Sequence, residues 1–248
     1  MKLYKYVPFS EGSKNILINS TMKFSSAEEF NDPFDCVVSH DVEGSLAYVL
    51  TRNDLLESAK KLNPENFDKK IMLDNLRHSL ESGQFSSDMA SSFGICSLSS
   101  SNDNILMWSH YADNHKGFIV EFQQPTNFNE YLSKPEFLLL SWPVKYQMDM
   151  PKVIMGDQGF EAVTQRFLTK ALEWEYEKEH RCLAHKAGSG IHKFSPPLLV
   201  GVIAGAKMSN DDLHELKFLV KNYEEKHNLK VSFKQAKKSG DQYKLEFV

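Results

Sequence analysis

The sequence predicts an α+β fold, with a mixed, mainly antiparallel sheet core, flanking helices and a helical insertion, in a single domain spanning residues 1–248. Three observations carry this expectation. The composition, 41% hydrophobic with 12% aromatic residues, is that of a folded globule. Its 17 Phe and 3 Trp can sustain a sizeable core at about 25 cal/mol per Å² of apolar surface buried. Short strand-like runs recur along the whole chain, and between two of them lies a polar, leucine-spaced tract from Ser45 to about Glu81 with the period of helices.

Lys2 to Tyr6 reads as a first strand, Ser10 to Leu17 as a short helix and Thr21 to Phe24 as a second strand. Ser26-Ala27-Glu28-Glu29 has Ser and Glu three apart, the spacing of a capping box, and the turn Asn31-Asp32-Pro33 stops the helix so opened. The leucine-spaced tract divides into two helices at Asn63-Pro64, because proline lacks a donor and restricts the residue before it. This tract is the expected insertion or lid, about residues 45–92. Phe93 to Leu98 returns to strand character. Asn102 or Asp103 stands where it can cap a helix holding Ile105, Leu106, Trp108, Tyr111 and Ala112, which Gly117 would end. Phe118 to Phe122 reads as a strand, Phe137 to Tyr146 as another interrupted at Pro143, and Phe160 to Leu172 as an amphipathic helix. Trp174 to Arg181 reads as a strand, so that Glu175, Glu177, Glu179 and Arg181 share one face and Trp174, Tyr176 and His180 the other. The remaining pattern gives a buried strand at Leu198 to Ala204, a helix at Asp211 to His227 opened by Ser209 or Asn210, and strands at Lys230 to Ala236 and Tyr243 to Phe247.

The net charge of −4 provides no general field for a phosphate backbone, so a nucleic-acid partner would depend on a local patch. Lys230, Lys234, Lys237, Lys238 and Lys244 form one against Asp241 and Glu246, although lysines on an edge strand also serve as a solvated rim that resists aggregation. Cys36, Cys96 and Cys182 are odd in number, far apart and without a CxxC pair, which argues against a disulfide framework and suits a reducing cytoplasm. No run approaches the roughly 20 apolar residues of a membrane span. The expectation is a soluble, cytoplasmic protein with no membrane partner. GxGxxG, GxxxxGK[ST], HExxH and GxSxG are all missing, which removes the main support for Rossmann, P-loop, zincin and α/β-hydrolase readings.

Four constellations could carry chemistry. Tyr4, Lys5 and Tyr6 alternate on the first strand, where two aromatics on one face could stack a ring or simply pack. Phe30-Asn31-Asp32-Pro33-Phe34-Asp35 offers Asn31 and Asp32 in a turn that could hold a ligand or only its own backbone. Cys96 to Gly117 concentrates hydroxyls at Ser97 and Ser99 with Trp108, His110, Tyr111 and His115, a density above what packing needs and suited to an anionic group. In the Trp174–His185 block, repelling carboxylates two residues apart shift their pKa values unless compensated, and Arg181 could pair with one of them or face an anionic ligand. The His180, Cys182, His185 spacing matches no strong zinc pattern, so no metal is expected.

These segments carry a resemblance. LYKY at Leu3–Tyr6, FNDPFD at Phe30–Asp35, CSLSSSNDNILMWSHYADNHKGFIVEF at Cys96–Phe122, VKY at Val144–Tyr146 and WEYEKEHR at Trp174–Arg181 resemble the bacterial family called domain of unknown function 2971 in order and spacing. One departure is Ser97, which stands where the family commonly has Phe. That family implies no reaction. A weaker likeness, of layout only, is to ADP-ribosyltransferases, which split NAD between nicotinamide and ribose. It implies an enzyme using NAD as substrate. Tyr4, Lys5 and Tyr6 would hold NAD, Ser97 and Ser99 would shape the nicotinamide pocket, His110 and Tyr111 would flank it, and Glu177 or Glu179 would stabilise the oxocarbenium-like centre. Two other classes stay open: a non-catalytic module that binds or senses a small anionic ligand or nucleotide through Arg181, His110 and the serine-rich loop, and a nucleic-acid-directed toxin or defence protein suggested by the C-terminal lysines.

Overall fold

The computed structural model describes residues 1–124, 136–157 and 159–248, and its architecture is α+β. In chain order the elements are β1 (Lys2–Val7), α1 (Glu11–Asn19), β2 (Thr21–Phe24), β3 (Ser39–His40), α2 (Val42–Thr51), α3 (Asn53–Leu62), α4 (Lys69–Glu81) and α5 (Gln84–Ser91). There follow β4 (Gly94–Ser99), α6 (Ile105–Tyr111), β5 (Phe118–Gln123), β6 (Ser141–Pro143), β7 (Lys145–Gln147), β8 (Lys152–Val153), α7 (Gly159–Phe167) and β9 (Thr169–Ala171). The last are β10 (Glu179–Ala184), β11 (Gly190–Lys193), β12 (Leu199–Ala204), α8 (Asn210–His227), β13 (Ser232–Lys238) and β14 (Leu245–Phe247).

By its contacts the chain forms two compact units. The first, residues 1–25, 94–143 and 174–248, is built on an eight-stranded sheet in the order β14-β13-β12-β5-β1-β4-β10-β6. Every pairing in that sheet is antiparallel except β12 with β13. Period-two alternation divides its side chains between two apolar clusters. Leu3, Val7, Leu98, Phe118, Val120 and Val202 pack with Ile16 and Leu17 of α1 and Leu216, Val220 and Tyr223 of α8. Tyr6, Ile119, Ile203, Ala236 and Leu245 pack on the opposite side with Met107, Trp108 and Ala112 of the α6 segment. The helices that cover the first face are closed by local chemistry: Ser10 and Ser209 cap α1 and α8, accepting from Ser13 N and Asp212 N.

The second unit, residues 26–93 and 144–173, holds α2 to α5, α7 and two short parallel pairs, β3 with β8 and β7 with β9. Its buried polar anchor is Lys170, whose Nζ lies 3.4 Å from Asp35 Oδ2.

Several boundaries differ from those the sequence predicts. The tract after Ser45 makes three helices rather than two, with an additional break at Arg52, where φ −101° and ψ 85° interrupt the helix without proline or glycine. The Ser26 capping box does not form; Ala27–Glu29 is a single 3₁₀ turn whose Ser26 side chain makes no capping bond. The Phe137–Tyr146 strand is a turn followed by β6 and β7, and the Phe160–Leu172 helix ends at Phe167 before β9. No helix among the described residues is long and apolar enough to cross a membrane, and Cys36, Cys96 and Cys182 are all buried thiols.

Candidate functional site

The middle of the large sheet carries a polar row. In the antiparallel registers Glu121 of β5 lies opposite Tyr4 of β1, Tyr4 opposite Ser99 of β4, and Ser99 opposite Glu179 of β10. Residues directly opposite share a face, with Cβ atoms roughly 5 Å apart, so four strands contribute neighbouring groups. One step along, Ser97 lies opposite Arg181, and Arg181 opposite Trp142.

Arg181 is fully buried and Glu179 nearly so. The guanidinium grips the carboxylate with both arms, Nε to Oε1 at 2.8 Å and Nη2 to Oε2 at 3.1 Å. Such a two-point bond compensates charge that burial would otherwise make costly. At the other end of the row Glu121 forms an ion pair with Lys2. Burial, and then the Glu121 charge, raises the Tyr4 phenol above its usual pKa.

Glu177 reaches the row by another route. Leu172–Glu177 is a 3₁₀ turn and Lys178 takes a left-handed φ of 46°, so the strand begins only at Glu179. The single alternating face of Glu175, Glu177, Glu179 and Arg181 therefore does not form: Glu179 and Arg181 share a strand face, Glu175 is exposed, and Glu177 is buried at the end of the turn. The Glu177 carboxylate accepts a hydrogen bond from Tyr111 Oη at 2.5 Å. Burial first, and that bond second, push the Tyr111 phenol well above its ordinary pKa. Ser99 Oγ donates to the Glu177 carbonyl at 2.6 Å and accepts from Ser101 N at 3.1 Å, tying the end of β4 to the same turn. Ser100 N donates to the Lys178 carbonyl at 3.0 Å.

Helix α6 is opened by Asn104 rather than by Asn102 or Asp103. Its Oδ1 accepts from Leu106 N and Met107 N, while its Nδ2 donates to the Tyr176 carbonyl at 3.0 Å, so one amide caps the helix and holds the glutamate turn. Asp103 instead accepts from Ser101 Oγ at 2.5 Å, and the Asn102 carbonyl accepts from Trp108 Nε1 at 2.8 Å. His110 Nδ1 sits 3.2 Å from Tyr176 Oη. Tyr6 Oη donates to the Ser101 carbonyl at 2.9 Å, and its ring meets Trp108 edge-on at 5.5 Å between centroids. Trp108 in turn stacks with His115 at 6.3 Å.

After α6 the chain turns through Asp113, Asn114 and His115, three successive residues with positive φ of 44°, 53° and 71°. Strain of this kind persists only where the surroundings enforce it. Here the His115 carbonyl accepts from Lys207 N and the Gly117 carbonyl from Gly205 N, each at 2.9 Å. A Cβ on Gly117 would stand 2.1 Å from the Val7 carbonyl oxygen, so only glycine allows β1 this close. Gly117 thus serves the close approach and does not end the helix, which stops at Tyr111.

The predicted residues divide accordingly. Tyr4, Ser97, Ser99, Glu179 and Arg181 share one region of the sheet face, with Tyr111, Glu177 and His110 joined through the glutamate turn. Tyr6 and Trp108 belong to the apolar cluster on that side. Lys5 lies on the alternate face of β1 and donates from Nζ to the Ser97 carbonyl at 2.8 Å. Asn31 and Asp32 belong to the second unit, where Asp32 Oδ1 accepts from Phe34 N at 2.9 Å in a local turn. Glu121, Asn104 and Tyr176 were not among the predicted residues. Glu121 had a signal, a carboxylate inside the apolar run Phe118-Ile119-Val120-Glu121-Phe122; Asn104 and Tyr176 act through a contact that no local pattern encodes. Among the described residues no group of three or more His, Cys, Asp and Glu is arranged to hold a metal ion.

Residues 107–182 match the model of the family described as Protein of unknown function (DUF2971). That span includes most of α6, the strained turn and the Glu177–Arg181 group, and leaves out Tyr4, Ser97 and Ser99. Neither the comparison with curated proteins nor that with solved structures gave a match.

Proposed function

We propose that this chain is an enzyme that consumes NAD by ADP-ribosyl transfer, with Glu179 or Glu177 as the catalytic carboxylate. One observation carries the reading: Tyr4, Ser99 and Glu179 stand side by side on three adjacent strands, with Glu177 tied to Ser99 through its carbonyl. The reaction needs an aromatic face for nicotinamide, a fixed polar group beside the ribose and an ionised carboxylate near the anomeric carbon. The nicotinamide–ribose C–N bond breaks with its electron pair leaving on nitrogen, and an acceptor O–H or N–H adds to the carbon and loses its proton. The Arg181 guanidinium at 2.8 Å favours a charged Glu179 carboxylate, the form that would stabilise the cationic ribose. Glu177 and Glu179 are only 3% and 4% exposed, so NAD would have to displace the side chains packed over them, and slow turnover is expected. The test is nicotinamide release from NAD by the purified protein: release that persists in a Glu177→Gln/Glu179→Gln double variant would overturn the assignment.

A second reading has its own observation. Both carboxylates are already bonded, to Tyr111 and Arg181, as in a structural network that supports a non-catalytic binding module. An unaltered small anion recovered with the purified protein, together with no NAD turnover, would favour it.

A further inference from the structure

We propose a separate binding site for a nucleoside phosphate in the cavity formed by the Ser239–Lys244 turn, Lys207 and His115. The cavity has a volume of about 680 Å³, within the range of small-molecule sites. Lys207, Lys238 and Lys244 line it, and Asp241 is the carboxylate among the lining residues. That carboxylate accepts from Ser239 Oγ at 2.9 Å, and none of the three lysines forms an ion pair with a described residue. The lining therefore carries three lysines against one carboxylate. Tyr243 beside them is fully exposed, so its ring is open for a base to stack on. Leu245, Ala206 and Ile105 supply an apolar lining.

The walls are fixed in advance. Lys207 N bonds the His115 carbonyl, and the His115 ring is held by Ser109 Oγ at 3.1 Å and by its stacking on Trp108. Ser239 N bonds the Lys244 carbonyl across the turn. A preformed wall lowers the ordering cost of binding. Cations that converge on a cavity, with an aromatic ring at its edge, suit a compact ligand with phosphates at the lysines and a base on Tyr243. Lys234 shares its face of β13 with Lys238 while Lys237 lies on the other, so the RNA probe below separates a nucleic-acid track along the strand from a nucleotide in the cavity. The site shares no residue with the Glu177–Arg181 group and does not rest on the NAD reading.

Calorimetric titration with ADP tests it, with pyrophosphate, adenosine and a short single-stranded RNA as comparison probes. Saturable ADP binding is expected. Replacing Tyr243 by Ala should weaken it by about tenfold, the scale of one lost stacking contact. Lys207→Ala/Lys238→Ala/Lys244→Ala should abolish it, and the matching Lys→Arg variant should retain it. These side chains are exposed apart from the cavity they line, and an unchanged ligand-free melting midpoint checks that each variant folds. ADP binding should also survive in Glu177→Gln/Glu179→Gln; its loss there would move the ligand to the carboxylates and overturn the proposal. So would no saturable ADP binding, pyrophosphate binding as tightly as ADP with Tyr243→Ala silent, or RNA binding that ADP does not displace.

Discussion

A carboxylate sealed from water must be compensated, and Tyr111 and Arg181 contribute to that at Glu177 and Glu179. Tyr111 gives Glu177 a neutral donor at 2.5 Å, whereas Arg181 gives Glu179 a full charge and two bonds. Tyr111→Phe should therefore cost about 1–3 kcal/mol, because it removes a donor from a buried acceptor, as read by urea denaturation. Arg181→Met should cost more, about 3–5 kcal/mol, because it removes the guanidinium that grips a buried carboxylate at two points. Combining Arg181→Met with Glu179→Gln should recover a substantial part of that loss. A double variant no more stable than Arg181→Met would show that the two side chains do not compensate each other. That Arg181 could pair with a carboxylate of its own block was legible in the sequence, since residues two apart on a strand share a face; which carboxylate it grips was not. The Glu177–Tyr111 bond was not, because it depends on a 3₁₀ turn and a left-handed Lys178 that no spacing announces.

At the level of elements, α6 and the loop after it join the polar row to the rest of the sheet. Asn104 both caps α6 and holds the Tyr176 carbonyl, so Asn104→Ala should destabilise by about 1–2 kcal/mol and by more than Asn104→Ser, which keeps a capping oxygen. Equal losses would mean that the cap contributes nothing. Gly117→Ala should be worse than either, because its Cβ would collide with backbone rather than with a movable side chain. Strand positions were readable wherever apolar residues alternate or run together, as in β1, β5 and β12, since the pattern records which face is buried. Element ends were less readable. Asn102, Asp103 and Asn104 are all good capping residues in sequence, and the choice fell to Asn104 because its amide alone also bonds the glutamate turn. The break at Arg52 escaped for a similar reason: leucine spacing continues across it, and no proline or glycine marks it.

On the scale of the whole molecule, acid should loosen the fold through its half-buried histidines. His115 and His180 in the first unit and His40 in the second are each held below the ordinary value of 6.5, chiefly by burial. The folded chain then binds fewer protons than the unfolded chain, so their contribution is complete above the unfolded value and is lost as pH falls through 6.5 toward the folded values. Denaturation midpoints should drop across that window, and His180→Gln should flatten the drop; a midpoint that holds steady or rises on acidification would contradict this. The arrangement of the sheet was predicted in class but not in order, because cross-strand neighbours such as Tyr4, Ser99 and Glu179 come from segments that spacing alone cannot bring together. Their adjacency is the basis for reading the chain as an NAD-consuming enzyme. The most direct test incubates the purified protein with NAD and follows nicotinamide release and thermal stabilisation together, beside Glu179→Gln. The account predicts stabilisation by NAD, as any ligand of the folded form must produce, with slow nicotinamide release that Glu179→Gln abolishes. Absence of both signals, or release that is unchanged in Glu179→Gln and in the Glu177→Gln/Glu179→Gln double variant, would contradict it.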